Sequence, residues 1–379
     1  MGGIPLFSRW NLIIAAGLGA ILLNALLSSC TPPESIRIGF VGGLSGRVAD
    51  LGIAGRNGAQ LAVELRNQAG GVAGRPVELI IRDDVQKPEI AERVMRELIA
   101  QGVVAIVGPM TSAMAMRMTP VANDAKIIMM SPTVTTNDLS GLDDYFFRVT
   151  SSTRVTAVKS ALYQRNVRHM QQVVAVYDLS NQSYTENWLN EFRAAFTQNG
   201  GEMVKVLGFE SGSDTAFLPI VRNLLVNPVD GVVIIANSVD AALLCQQIRK
   251  LDSHVPIVVA EWGATERLVE LGGKTVEGVT TAQIFDRNNT SPLYQMFYQS
   301  YRDRFGHEPG FGGTAAFDAA NVVLDALARQ PPGQNLKQTV LAMRRFAGVQ
   351  NPVIFDDFGD AQRKIFITTV SGGRFIVAE

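Results

Sequence analysis

The sequence predicts an α/β protein built as two doubly wound lobes of parallel sheet. From residue 36 onward, short β-branched apolar runs alternate with amphipathic helical patterns, as βαβ units do. The alternation stops near residue 150 and restarts at 154, so there are two rounds. The chain has 379 residues, 47% hydrophobic and 18% charged, enough to bury two cores. Its 35 glycines and 16 prolines suit many tight strand–helix turns.

The elements follow in order. Residues 36–41 read as a strand, with a glycine loop at 42–46. Residues 57–68 read as a helix that places Leu61, Ala62 and Leu65 on one face. A strand at 77–82 precedes a helix at 88–101, opened by Pro88. The β-branched run 103–107 suits a strand buried on both faces. A helix at 112–124 carries a methionine stripe, and strands follow at 127–130 and 145–149. The second round predicts helices at 154–164, 183–199, 215–226 and 239–251, with strands at 173–177, 202–209, 231–235 and 255–259. Helices at 292–305, 315–329 and 336–346 come next. Strands at 353–355, 365–370 and 375–377 end the chain, and the charged stretch 356–364 reads as a hairpin connection.

The first thirty residues are of another class. Arg9 precedes a nearly unbroken apolar run over 12–27, and Leu27-Ser28-Ser29-Cys30 resembles a bacterial lipobox. Residues 1–29 are expected to be a lipoprotein signal peptide and Cys30 the lipidated residue, with 30–34 as a polar tether. An uncleaved anchor is the alternative. Either way the chain is placed outside the cytoplasm, periplasmic or at the cell surface.

Composition excludes several functions. A net charge of −1 leaves no electrostatic footprint for nucleic acid. Cys245 is the only cysteine after Cys30, so an internal disulfide and a cysteine metal site are excluded by count, and its apolar neighbours suggest a packed core thiol. His169, His254 and His307 show no metal-ligand or triad spacing, and there is no nucleophile elbow or P-loop. A binding protein without cofactor, metal or catalysis is expected, in monomeric form.

Several motifs, in order, carry a resemblance. Residues 38–46 (Ile-Gly-Phe-Val-Gly-Gly-Leu-Ser-Gly), the turn Gly70-Gly71-Val72-Ala73-Gly74, the pair Asp83-Asp84, and the turns Gly108-Pro109-Met110-Thr111-Ser112 and Ser131-Pro132-Thr133-Val134-Thr135 precede Phe147-Arg148-Val149-Thr150. Together they resemble the branched-chain amino-acid-binding family of type I periplasmic solute-binding proteins, which serve ABC transporters. The resemblance implies lobe one at 35–153 plus 282–350, lobe two at 154–281 plus 351–379, and a hinge of three chain crossings. It also implies a small ligand held in the cleft and passed to an ABC permease. A sensory receptor module for a signalling partner is the alternative.

Ligands of doubly wound sheets sit beyond the carboxyl ends of the strands, where helix N-termini offer N–H donors. Ser112 and Thr135, with Thr133, stand at two such turns and would hold a carboxylate; the plain alternative is helix capping. The family's acid for a ligand ammonium falls at Thr153, which offers a hydroxyl and no charge. Either the ligand lacks an α-ammonium, being an aromatic or aliphatic acid, or another acid replaces it, with Glu261 the first candidate. Tyr184, Ser238 and Trp262 are expected from the second lobe. Met110 sits in the binding turn itself, and Leu51 gives an aliphatic wall where amino-acid receptors often carry an aromatic. Most of the other methionines, Met114, Met116, Met118, Met129 and Met130, are expected to pack the core.

Overall fold

The computed structural model describes residues 33–252 and 254–378. The expected leader, residues 1–29, and Cys30 lie outside the described residues.

Two separate sheets carry the two rounds. The first holds β1 (Ile36–Gly42), β2 (Val77–Asp83), β3 (Ala105–Val107), β4 (Ile128–Ser131) and β5 (Phe146–Arg148) in the order β2-β1-β3-β4-β5, all parallel. Its central strands are apolar on both faces because helices cover both: Ala105, Ile106 and Val107 are all buried. On this lobe lie α1 (Ala49–Gln68), α2 (Pro88–Ala100) and α3 (Ser112–Ala125). Met114, Met118, Met129 and Met130 are buried in its core, whereas Met116 is exposed.

Helix α1 begins at Ala49, eight residues before the expected start. Gly52 and Gly55 hid this start, since each glycine costs roughly 1 kcal/mol in a helix. A buried face of Leu51, Gly55, Ala59 and Ala62 outweighs that cost. Gly58 also has a packing reason. A Cβ there would come within 2.0 Å of the Gly313 carbonyl oxygen, so only glycine lets α1 meet α10 (Phe311–Arg329) this closely. The earlier start places Asp50 and Leu51 on the first turn, at the cleft.

The second sheet holds β6 (Gln172–Asp178), β7 (Glu202–Phe209), β8 (Gly231–Ile235), β9 (Ile257–Val259), β10 (Thr280–Gln283), β13 (Phe366–Ser371) and β14 (Arg374–Val377). Their order is β14-β13-β10-β9-β8-β6-β7. Strands β6 to β10 are parallel, but β13 runs antiparallel to β10, and β14 antiparallel to β13. The two C-terminal strands thus add an antiparallel edge to an otherwise parallel sheet. The reason is local: Gly372 and Gly373 both have positive φ, the signature of a two-residue hairpin turn. Around this sheet lie α4 (Thr153–Leu162), α5 (Gln182–Gln198), α6 (Phe217–Leu224), α7 (Ser238–Leu251) and α8 (Glu266–Gly272). Cys245 is buried in α7, and desolvation pushes its thiol up to about 12.

The chain leaves the first lobe after β5, returns after β10 through α9 (Pro292–Phe305), α10 and α11 (Leu336–Met343), and leaves again to form β13. The last passage differs from expectation. Residues 356–360 do turn back on themselves, with Phe355 bridging Ala361 antiparallel, but they do not pair 353–355 with β13. Instead β11 (Arg345–Phe346) pairs with β12 (Val353–Ile354), and Phe355 packs edge-on against Phe147 and Phe346. Asp360 meets the buried Arg148 at 2.7 Å, so 353–361 lies with the first lobe although 351–379 was expected in the second. Arg363 then pairs with Asp318 at 3.0 Å and donates to the Val149 carbonyl, tying the third crossing beside the first.

Candidate functional site

In each sheet the strand order reverses beside the first strand, between β1 and β3 and between β6 and β8. Such switch points leave a crevice at the carboxyl ends of the strands. The two crevices face each other. Two adjoining small cavities, of about 20 and 30 Å³, lie there and share Thr133, Thr135, Glu261 and Phe311.

The first lobe supplies Leu51 from α1, Met110 and Thr111 from the turn after β3, Ser112 from the first turn of α3, and Thr133 and Thr135 from the turn after β4. Hydrogen bonds make these two turns one unit. Thr133 Oγ1 donates to the Met110 carbonyl at 2.6 Å, and Ser131 Oγ donates to the Pro109 carbonyl at 2.8 Å. Ser112 Oγ accepts from the Thr136 amide at 3.4 Å. The Ser112 and Thr135 hydroxyls, which accept here and keep their protons to give, beside the positive end of a 14-residue helix suit an anionic group.

The second lobe supplies Asn181 and Tyr184 after β6, and Glu261 and Trp262 after β9. Asn181 Oδ1 accepts from the Ala113 amide at 2.9 Å, so the lobes touch at the start of α3. Tyr184 and Trp262 pack edge-to-face at 5.8 Å and form an aromatic wall with Phe311. Glu261 accepts from Thr156 Oγ1 and Trp188 Nε1, both at 2.9 Å, and the Tyr184 hydroxyl faces it too. Burial pushes its carboxyl up to about 6, against the pull of these donors. Glu261 is the one charged residue lining either cavity among the described residues.

Eight of the ten expected ligand residues thus line one space: Leu51, Met110, Ser112, Thr133, Thr135, Tyr184, Glu261 and Trp262. Two do not. Thr153 is fully buried at the start of α4 and donates to Thr135 Oγ1 at 2.8 Å, behind the cavity wall. Ser238 opens α7 and donates to Asp50 Oδ2 at 2.6 Å, in the contact between lobes. Sequence reasoning missed Thr111, Asn181 and Phe311, and also Thr150, Thr156, Gln283 and Ile284 of the second cavity. Thr156 had a signal, since it stands one helical turn after Thr153. Phe311 had one as well, lying in the glycine cluster Gly310-Phe311-Gly312-Gly313.

The profile described as "Periplasmic binding protein" matches residues 35–374. The chain belongs to this family. Among curated relatives of this periplasmic binding protein, the Leu/Ile/Val-binding protein BraC3 of Rhizobium johnstonii is 27% identical over 244 residues. That match covers 64% of this chain and 65% of the relative, so the chain spans just under two thirds of that relative's length. A Pseudomonas aeruginosa protein described as binding leucine, isoleucine, valine, threonine and alanine is 22% identical over 90% of this chain and 91% of its own. Among solved structures, the LivJ substrate-binding protein of Streptococcus pneumoniae, in complex with isoleucine, superposes with a TM-score of 0.84 at 25% identity. It covers 91% of this chain and 99% of its own. A benzoate complex of a solute-binding protein from R. palustris shares the fold at 18% identity, with a TM-score of 0.83 over 91% of this chain and 96% of its own.

Among the described residues no helix is long and apolar enough to cross a membrane, and no group of three or more His, Cys, Asp or Glu could hold a metal ion. His169, His254 and His307 are all exposed.

Proposed function

We propose that this periplasmic binding protein captures a small carboxylate-bearing solute between its lobes, an apolar α-amino acid above all, and delivers it to an ABC importer. The observation that carries the reading is the cavity's charge. Glu261 faces Ser112, Thr133 and Thr135 across a lining that brings no cation. A plain carboxylic acid would put two negative charges in one desolvated space, which is costly. A zwitterion balances it: the carboxylate takes the hydroxyls and the start of α3, and the ammonium takes Glu261. Leu51, Met110, Trp262 and Phe311 leave an apolar berth for the side chain. Relatives described as binding leucine, isoleucine and valine support the same class.

The second reading, an aromatic or aliphatic acid without an amine, draws on Thr153 standing in place of the family's acid and on Glu261 titrating near 6, so that a protonated Glu261 could itself donate. A thermal-shift screen of the L-amino acids against benzoate and short fatty acids separates the two, since a bound ligand raises the melting temperature. Stabilisation by amino acids, lost in Glu261→Gln, supports the first reading. Stabilisation by amine-free acids alone overturns it.

The pocket holds no arrangement of nucleophile and base suited to turnover, so we read its task as binding. The lobe arrangement extends to the hinge: 35–153 with 282–361 would move against 154–281 with 366–379. Tethering through a lipid on Cys30 places the protein outside the cytoplasm beside its permease, acting as a monomer. Radiolabelled palmitate incorporation lost in Cys30→Ser tests the anchor. Solute uptake by cells lacking the protein tests delivery, and a sensor would leave uptake unchanged.

A further inference from the structure

We propose that Trp188, which lines neither cavity, is a positioning residue: it holds Glu261 as an oriented anion and thereby commits the cavity to ammonium-bearing solutes. The class-setting half rests on the reading above; the positioning half stands on geometry alone.

Trp188 lies in α5 and is 1% exposed. Its ring stacks on Phe192 at 5.1 Å, and Phe192 stacks on Phe196 at 5.5 Å. This three-ring ladder leaves the indole little freedom. A buried indole N–H needs an acceptor, and here the acceptor is Glu261 Oε2 at 2.9 Å. Thr156, from α4, donates to the other oxygen. Two elements of the second lobe therefore grip opposite ends of one carboxylate and set its plane.

The two donors differ in kind. A threonine hydroxyl can turn and accept from a protonated carboxyl. An indole N–H can only donate, and its bond strengthens when the acceptor is charged. Trp188 therefore favours the ionised acid in a site where desolvation favours the neutral one. The groups facing Glu261 are its own backbone amide, the Tyr184 phenol and the Trp188 indole from α5 and the Thr156 hydroxyl from α4, and none carries a charge at neutral pH. The cavity linings add no other charged side chain among the described residues. Among the side chains in that set Trp188 alone is a donor unable to reverse, and it adds to the fixed backbone amide of Glu261.

The test is Trp188→Phe in the full chain, which keeps the ring ladder and removes the N–H, with Thr156→Val as the companion. Carboxyl ¹³C NMR follows the Glu261 resonance, identified by its loss in Glu261→Gln, and needs no ligand. Calorimetry with L-leucine and L-isoleucine follows affinity from pH 5 to 8. In Trp188→Phe the Glu261 midpoint moves to higher pH, and affinity for the amino acids falls about tenfold at pH 6 but only about threefold at pH 8. An unchanged midpoint in a variant that melts as the wild type does overturns the proposal. If Trp188→Phe does not fold, Trp188→Leu, which also lacks the N–H, is read by the same midpoint: one that stays put overturns the proposal and one that rises supports it, while Thr156→Val, whose hydroxyl serves either state, moves it less. A wild type that binds neither amino acid overturns the ligand class, while the NMR midpoint still judges the role of Trp188.

Discussion

Asp50 of the first lobe accepts a 2.6 Å hydrogen bond from Ser238 Oγ of the second, across the cleft and outside the cavity. The same oxygen accepts from Thr265 Oγ1 at 2.5 Å. Beside it, Arg47 reaches the fully buried Asp240 and the Gly212 carbonyl. Asp240 is held ready by Asn237 and Ser211. These contacts exist only while the lobes meet, so they favour the closed form whatever the cavity contains. Asp50→Ala is expected to weaken every ligand by about tenfold, since hydrogen bonds to a charged group contribute about 1.5–3 kcal/mol each. The order of ligand preference stays the same. Calorimetry over several ligands checks it, and a reordered series would place Asp50 in the site itself.

The hydroxyl turns give a different signature. Ser112→Ala combined with Thr135→Ala removes the two hydroxyls free to donate to the proposed carboxylate, since Thr133 donates to the Met110 carbonyl. Affinity is expected to drop by roughly two orders of magnitude, from about 1.5 kcal/mol or more per bond to a charged group. The helix keeps its place because the Ala113 amide is held by Asn181 and not by these side chains. Unaltered binding by calorimetry would remove both residues from the site.

Asp84 offers a test on stability and pH. It is 1% exposed, its Oδ1 accepts from the Gln86 amide, and its Oδ2 has no partner. Burial pushes its carboxyl up to about 6, with the neighbouring Asp83 charge adding to the rise. A raised acid means that the folded state holds this proton more tightly than the unfolded chain does. Asp84 therefore contributes stability as pH falls from about 6 towards 4, and costs stability above 6. Asp84→Asn keeps an acceptor for Gln86 and is expected to raise the melting temperature at pH 7.5 by several degrees, an effect on the order of 1–2 kcal/mol, with little change at pH 4. Melting curves at the two pH values decide it, and an equal shift at both would rule out the charge as the cause.

At the hinge, Arg363 and Asp318 form a buried pair at 3.0 Å, and Asp318 Oδ1 also accepts from the Val349 amide. Removing one partner leaves the other charge buried alone. Asp318→Ala is expected to cost about 3–5 kcal/mol, while Arg363→Met with Asp318→Leu costs much less. Urea unfolding of the three proteins tests this, and equal loss in the single and double variants would contradict it.

How much of this was legible beforehand varies residue by residue. Met110, Ser112, Thr133 and Thr135 stood in turns between clear strands and helices, where a period of two gives way to one of 3.6. Trp262 and Glu261 could be placed likewise after the strand at 257–259. Ser238 occupies the same kind of position after β8, yet it reaches Asp50 instead of the cavity. Thr153 sits at a predictable helix start, but the strand–helix pattern does not reveal that its hydroxyl turns inward to Thr135. The start of α1 stayed hidden because Gly52 and Gly55 mask it, and Gly313, against which Gly58 packs, lies 255 residues further on. The passage of 353–361 along the first lobe depends on Arg148 meeting Asp360, a pairing of distant positions.

Local periodicity and turn chemistry act over a few residues, so the sequence alone determined two βαβ rounds, their strand-end turns and the hydroxyls those turns carry. Which turns face each other was decided only in three dimensions. Glu261, Thr156 and Trp188 come from three separated elements, and their convergence depends on how helices pack on a sheet. The cavity's charge is a property of that convergence, because burial and hydrogen bonding set a carboxylate's state and neither can be read one residue at a time.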